Sequence, residues 1–250
     1  MRIIFAVILA LLPLALIGNA QAATRGQFTV QTSSGEILVE SFASSAGGPR
    51  PAVLILSGSK GFGSSAYDEI GRIFSAAGLD TYLVHVLSQH GLEAITSAGS
   101  ARARIGYYAQ RQSDWIAAVH GVVTYLNTQP PHVGRVGVLG ISLGAQIAAA
   151  SAAERTDIGA LVLVDGGFPN GYSRPVRSLP PLQLIWGSAD RTLPLSIGQD
   201  LHRMAQGLGG PVSLDVYQGG AHDFFLKSGT QQAEAAQQSA ATFFAMRLSR

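Results

Sequence analysis

The stretch at residues 135–154, RVGVLGISLGAQIAAASAAE, constrains the fold more than any other part of the chain. A short apolar run at Val136, Val138 and Leu139 meets Gly140-Ile141-Ser142-Leu143-Gly144, and an alanine-rich helical run follows at once. The order reads as strand, sharp turn, helix, with one serine at the apex. Such a turn strains the serine backbone and lifts its hydroxyl clear of the sheet. A Cβ on either glycine would collide with the neighbouring strand or helix. Ser142 is therefore the candidate nucleophile. The pentapeptide alone is weak in a chain with 30 glycines, and a serine capping a helix start is the plain alternative. The flanking elements and the residues further along carry the argument.

Around that turn the chain alternates strands with helices. Residues 27–31 and 36–42, separated by Ser33-Ser34-Gly35, read as a β-hairpin. Residues 44–51 form a Gly/Pro/Ser loop, and 52–56 (AVLIL) are apolar throughout, as in a buried central strand. Helical spacing runs over 67–77 and stops at Gly78; 80–86 is a strand. Residues 87–106 are polar, small and irregular, and 113–126 carry a helical apolar stripe. Strands are predicted at 159–164, 182–186 and 212–217, helices at 195–208 and 230–248, and a long Gly/Pro-rich loop at 165–181. This pattern implies an α/β fold: a mostly parallel central sheet with helices on both faces and an N-terminal antiparallel hairpin. Ligands in such sheets sit beyond the carboxyl ends of the strands.

Residues 1–23 stand apart. Met1-Arg2 is a short basic start, residues 3–17 are almost wholly apolar, and Ala20-Gln21-Ala22 supplies a small-x-small cleavage pattern before Ala23. This reads as a secretory signal peptide, cleaved near Ala22/Ala23, with one domain over 24–250. The apolar run is short for a spanning helix, so an uncleaved anchor is the lesser alternative and no stable membrane insertion is expected after cleavage. The chain would then be secreted or periplasmic. It has no cysteine, so no disulfide stabilises it and lipoprotein processing is excluded. Charged residues make up 13% of the chain, with a formal net charge of +2 and no Lys/Arg block, which gives nucleic-acid binding no support. No H-E-x-x-H, Cys/His cluster, complete dinucleotide motif or Walker sequence is present, so no metal or cofactor is expected.

Four predicted strands end in candidate chemistry. Leu56 is followed by Ser57-Gly58-Ser59-Lys60-Gly61, Leu139 by the Ser142 turn, Trp186 by Gly187-Ser188-Ala189-Asp190, and Tyr217 by Gln218-Gly219-Gly220-Ala221-His222-Asp223-Phe224. In chain order these supply Ser142, Asp190 and His222, the order that accompanies a strand-turn-helix nucleophile. A serine hydroxyl needs a base to accept its proton, imidazole titrates near neutrality, and an aspartate on its other nitrogen fixes the tautomer. Asp165, also at a strand end, is the rival acid. A tetrahedral oxyanion needs two donors. The amide of Leu143 is one candidate, and Ser59, Lys60 or Gly61 the other. His85 and His90 follow a strand end and are weaker candidates for the pocket wall. Trp115 fits the core stripe of its helix. Arg102, Arg104 and Arg111 could hold an anionic group, although a solvated face is the simpler reading.

From about residue 27 to 248 the chain resembles an α/β-hydrolase, most closely the dienelactone hydrolase family. G-I-S-L-G resembles its nucleophile elbow, W-G-S-A-D-R-T-L-P its acid-bearing turn, and Y-Q-G-G-A-H-D-F the segment around its catalytic histidine. The resemblance implies Ser142, Asp190 and His222 as a triad. Founding members carry cysteine where this chain has Ser142, and a glutamate-containing loop where it has Ser57-Gly58-Ser59-Lys60-Gly61. Both departures point away from a dienelactone and toward ester hydrolysis. The expected function is a serine hydrolase acting on a small-molecule acyl substrate through an acyl-enzyme. Thioester or lactone hydrolysis, acyl transfer to another acceptor, or a non-catalytic binding role on the same fold are the alternatives.

Overall fold

The computed structural model describes residues 25–42, 50–132 and 136–249. The expected signal peptide at 1–23 and most of the loop expected at 44–51 lie outside these residues. Eight strands form one sheet: β1 (Arg25–Thr32), β2 (Gly35–Phe42), β3 (Ala52–Leu56), β4 (Asp80–Val84), β5 (Val136–Ile141), β6 (Ile158–Val164), β7 (Leu182–Gly187) and β8 (Val212–Tyr217). Their order across the sheet is β1-β2-β4-β3-β5-β6-β7-β8. The β1–β2 and β2–β4 pairs are antiparallel and the remainder parallel.

Among the described residues there are six α-helices: α1 (Ala66–Ala76), α2 (Gln89–Ser97), α3 (Ala101–Asn127), α4 (Leu143–Ala152), α5 (Leu195–Gly207) and α6 (Gln231–Leu248). Helices α3, α4 and α5 pack on one face, through Val119, Val122, Ile147 and Leu201 among others. Helices α1 and α6 pack on the other, through Ile70, Phe74, Phe243 and Phe244. With both faces covered, β3, β4, β5, β6 and β7 are buried at every position, which is why β3, β5 and β6 read as apolar runs, while β4 buries Asp80 and Thr81 and β7 buries Gln183. Edge strand β1 is mostly exposed.

The expected sheet, hairpin and flanking helices are all present. One expectation fails. The segment 87–106, expected to be irregular, contains α2 and the start of α3, and α3 begins 12 residues before the predicted position 113. The first half of α3, ARARIGYYAQRQ, buries no continuous stripe; its buried residues run from Trp115 to Leu126. Periodicity therefore saw only the second half. Good helix formers and a serine cap account for the rest: Ser100 Oγ accepts from the Ala103 amide at 3.1 Å, and Ser88 caps α2 in the same way through Gly91.

The strand order reverses at β3. The chain moves from β3 outward to β4, then returns across α3 to place β5 on the opposite side. A crevice opens at the carboxyl ends of β3 and β5, the position where such sheets hold ligands.

Candidate active site

Ser142 is the first residue beyond β5, at φ 54° and ψ −112°, a strained conformation for a residue with a side chain. Two close approaches hold it there. A Cβ on Gly140 would run into the carbonyl of Gly144, and one on Gly144 would run into the carbonyl of Leu56. Helix α4 therefore starts directly against β3 and β5. Every residue of α4 except Gln146 is buried, which explains its alanine-rich, unpatterned sequence.

The other residues also sit at strand ends, each tied to the next strand. The Ser142 amide donates to the Val164 carbonyl at 2.9 Å, the Asp165 amide to Ile185 at 3.0 Å, and the Ser188 amide to Tyr217 at 2.9 Å. Beyond β8, the turn that carries His222 is anchored by Phe224 and Phe225, both buried. The Ala189 amide donates to the Gly220 carbonyl at 2.9 Å, fastening the acid-bearing loop to the histidine loop.

The structure brings Ser142, His222 and Asp190 into one line. Ser142 Oγ lies 2.8 Å from His222 Nε2, and His222 Nδ1 lies 2.7 Å from Asp190 Oδ2. Asp190 Oδ1 accepts the amides of Thr192 at 2.7 Å and Leu193 at 2.9 Å. The Asp190 carboxyl thus accepts three hydrogen bonds and donates none, the pattern of a carboxylate. With Nδ1–H donated to Asp190, Nε2 is left as an acceptor, so the serine hydroxyl donates to it. The carboxyl of Asp190 is fully buried, while about a quarter of the His222 side chain faces the cavity.

Asp165 lies beside this line but does not reach His222 by a hydrogen bond. Its Oδ1 accepts the Gly187 amide at 2.8 Å. Burial pushes its pKa up to about 8; the charges of Asp190 and Asp223 add to the rise and the Gly187 amide opposes it. Asp165, Asp190 and His222 each offer an atom within 4.8 Å of the others, a grouping that could hold a metal ion. Both ring nitrogens of His222 and both oxygens of Asp190 are already hydrogen-bonded, so a cation would have to displace that network.

Ser142 and His222 open onto a cavity of about 600 Å³. Ser59, Lys60 and Leu143 line it; Gly61 does not, and its amide donates to the Gly58 carbonyl at 3.0 Å within the turn. Of the three candidates in that loop, Ser59 and Lys60 therefore face the site. The first half of α3 supplies a wall with Arg104, Ile105 and Tyr108, and the 165–181 loop contributes Pro169 and Asn170. Trp115 is buried in the core as expected, with an edge in the same wall. His85 belongs elsewhere: it pairs with Glu40 at 2.7 Å and packs against the tilted ring of Phe62, and neither it nor His90 lines the cavity. Arg111 pairs with Asp114, and the exposed Asp223 with Lys227 at 3.6 Å. The periodicity of residues 101–112 gave no sign that Tyr108 and Ile105 would face the site. Their helical character lay in composition alone.

Residues 39–246 match the sequence model of the dienelactone hydrolase family. A dienelactone hydrolase from Anabaena variabilis ATCC 29413 is 22% identical, with 91% of this chain and 100% of that chain aligned at a TM-score of 0.70. A putative dienelactone hydrolase from Klebsiella pneumoniae is 15% identical over 89% and 98% of the two chains, at 0.73. An esterase from Pyrobaculum calidifontis is 15% identical over 91% and 86%, at 0.70. At these identities the likeness is one of fold. No curated protein sequence matches the chain.

Proposed function

The chain belongs to the dienelactone hydrolase family, and from that premise we propose that it is an exported serine hydrolase cleaving carboxylic esters through an acyl-enzyme on Ser142. The observation that carries this reading is the unbroken line from Ser142 Oγ through His222 to Asp190, at 2.8 and 2.7 Å. The serine hydroxyl attacks the ester carbonyl carbon while Nε2 takes its proton. Asp190 holds the imidazole in the required tautomer and offsets the charge that forms on it. The oxyanion is met by the amide of Leu143 and by an amide of the Ser59-Lys60 turn, residues that line the cavity. His222 then protonates the departing alcohol. Water, deprotonated by the same nitrogen, attacks the acyl-enzyme and restores Ser142.

Apolar side chains of Ile95, Leu143 and Ile147 in the cavity wall suit the acyl portion. An ester is favoured over an amide because its alcohol leaves with less demand for protonation. Export rests on residues 1–23, with their basic start, apolar run and small-x-small site. Among the described residues no helix is long and apolar enough to cross a membrane.

Hydrolysis of p-nitrophenyl esters from acetate to palmitate tests the reading. The wild type is expected to turn over part of the series, and Ser142→Ala to lose at least about 10³-fold in kcat. Equal rates for the two proteins would remove Ser142 from the chemistry.

A further inference from the structure

Asp165 is the first residue beyond β6, has no exposed surface, and sits at φ 45°. A residue with a side chain adopts that backbone only at some cost. Its Oδ2 is buried with no hydrogen-bond partner among the described residues. A carboxyl oxygen of Asp165 lies within 4.8 Å of both an oxygen of Asp190 and a ring nitrogen of His222. A second buried acid against the first is unfavourable, and an apolar side chain would fill the space with less penalty. Strain, an orphaned oxygen and proximity to the imidazole coincide in one residue.

We propose that Asp165 is a positioning residue of the same triad, a second carboxyl group that serves the imidazole of His222 alongside Asp190. This inference rests on the reading of Ser142, His222 and Asp190 given above. Because Oδ1 already accepts the Gly187 amide, a proton carried by Asp165 sits on Oδ2. The titratable groups facing it are Asp190 from the loop after β7 and His222 from the loop after β8, with the charge of Asp223 also acting on it. From the turn after β5 comes only Ser142. Among the described residues no Lys or Arg forms an ion pair with it.

Burial pushes the Asp165 pKa up to about 8, so near neutral pH its carboxyl is mostly protonated. When His222 accepts the serine proton, a positive charge forms within reach of Asp165. That charge favours release of the Asp165 proton to solvent. The transition state therefore holds ionised Asp165 better than the free enzyme does, and acylation accelerates as this carboxyl titrates. Asp165 touches no substrate and acts only through His222.

The test is the rate at which a fluorophosphonate probe labels Ser142 across the pH range, for wild type, Asp165→Asn, Asp190→Asn and the double variant, each checked by circular dichroism. Between about pH 7 and pH 9 the wild-type rate is expected to rise by about fivefold, and that ratio to fall to about one in Asp165→Asn. Asp190→Asn should retain labelling that climbs with pH, and the double variant should be slower than it by about tenfold or more near pH 9. Coincident profiles for wild type and Asp165→Asn, with a double variant no slower than Asp190→Asn, would make Asp165 a packing residue only. Should Asp165→Asn fail to fold, the Asp190→Asn profile still decides, because a flat profile above neutrality overturns the proposal. Absence of labelling in the wild type would instead sink the nucleophile reading itself.

Discussion

Gly187 and Gly220 meet backbone to backbone at the carboxyl end of the sheet: a Cβ on Gly187 would run into the Gly220 carbonyl, which also accepts the Ala189 amide. This contact seats the loop that bears Asp190 against the loop that bears His222. Gly187→Ala is expected to push the two loops apart. A misplacement near 1 Å can lower a rate by about 10²-fold. The checkable outcome is a loss of that order in kcat for p-nitrophenyl acetate, with an unaltered far-ultraviolet dichroism spectrum. A variant of unchanged kcat would mean the loops tolerate the displacement.

Asp165 makes a prediction about stability that is independent of activity. Its carboxyl ionises near 3.8 in an unpaired chain, whereas burial in the folded protein pushes it up to about 8. Between those values the unfolded state binds fewer protons than the folded state, so this residue makes the protein less stable as pH rises, and the effect levels off above about 8. Asp165→Asn removes the titration. The stability of the variant relative to wild type should therefore increase from about pH 5 to about pH 8, by at least about 1 kcal/mol in urea unfolding. A difference independent of pH would show that the folded protein holds Asp165 ionised.

The wall built by the first half of α3 should set the acyl length accepted. Ile105 is half exposed and lines the cavity, so Ile105→Trp adds bulk there without disturbing the core. The ratio of kcat/KM for p-nitrophenyl octanoate over acetate is expected to fall about tenfold. An unchanged ratio would place the acyl chain elsewhere.

The sheet was legible because burial on both faces leaves apolar runs such as 52–56 and 159–164 that no polar residue interrupts. Ser142 was legible because two glycines at close backbone approaches leave a local signature. Asp190 and His222 were legible because chemistry and chain order restrict where an acid and a base can fall. The wall of the cavity was not. Residues 101–112 are helical without a buried stripe, so spacing is silent about them, and the side chains they turn toward Ser142 are decided by packing across the fold. Gly61 illustrates the same limit at the scale of one hydrogen bond: its amide closes a turn on Gly58, a fact that composition of the loop does not carry. The tie between Asp165 and its neighbours depends on three loops converging, which no local pattern records.

The central claim is that His222 makes the Ser142 hydroxyl a nucleophile, and peptide mass spectrometry after fluorophosphonate treatment tests it most directly. The account predicts one adduct, on Ser142, abolished in Ser142→Ala and slowed by at least about 10³-fold in His222→Ala. An adduct on another residue, or equal labelling of wild type and His222→Ala, would contradict it.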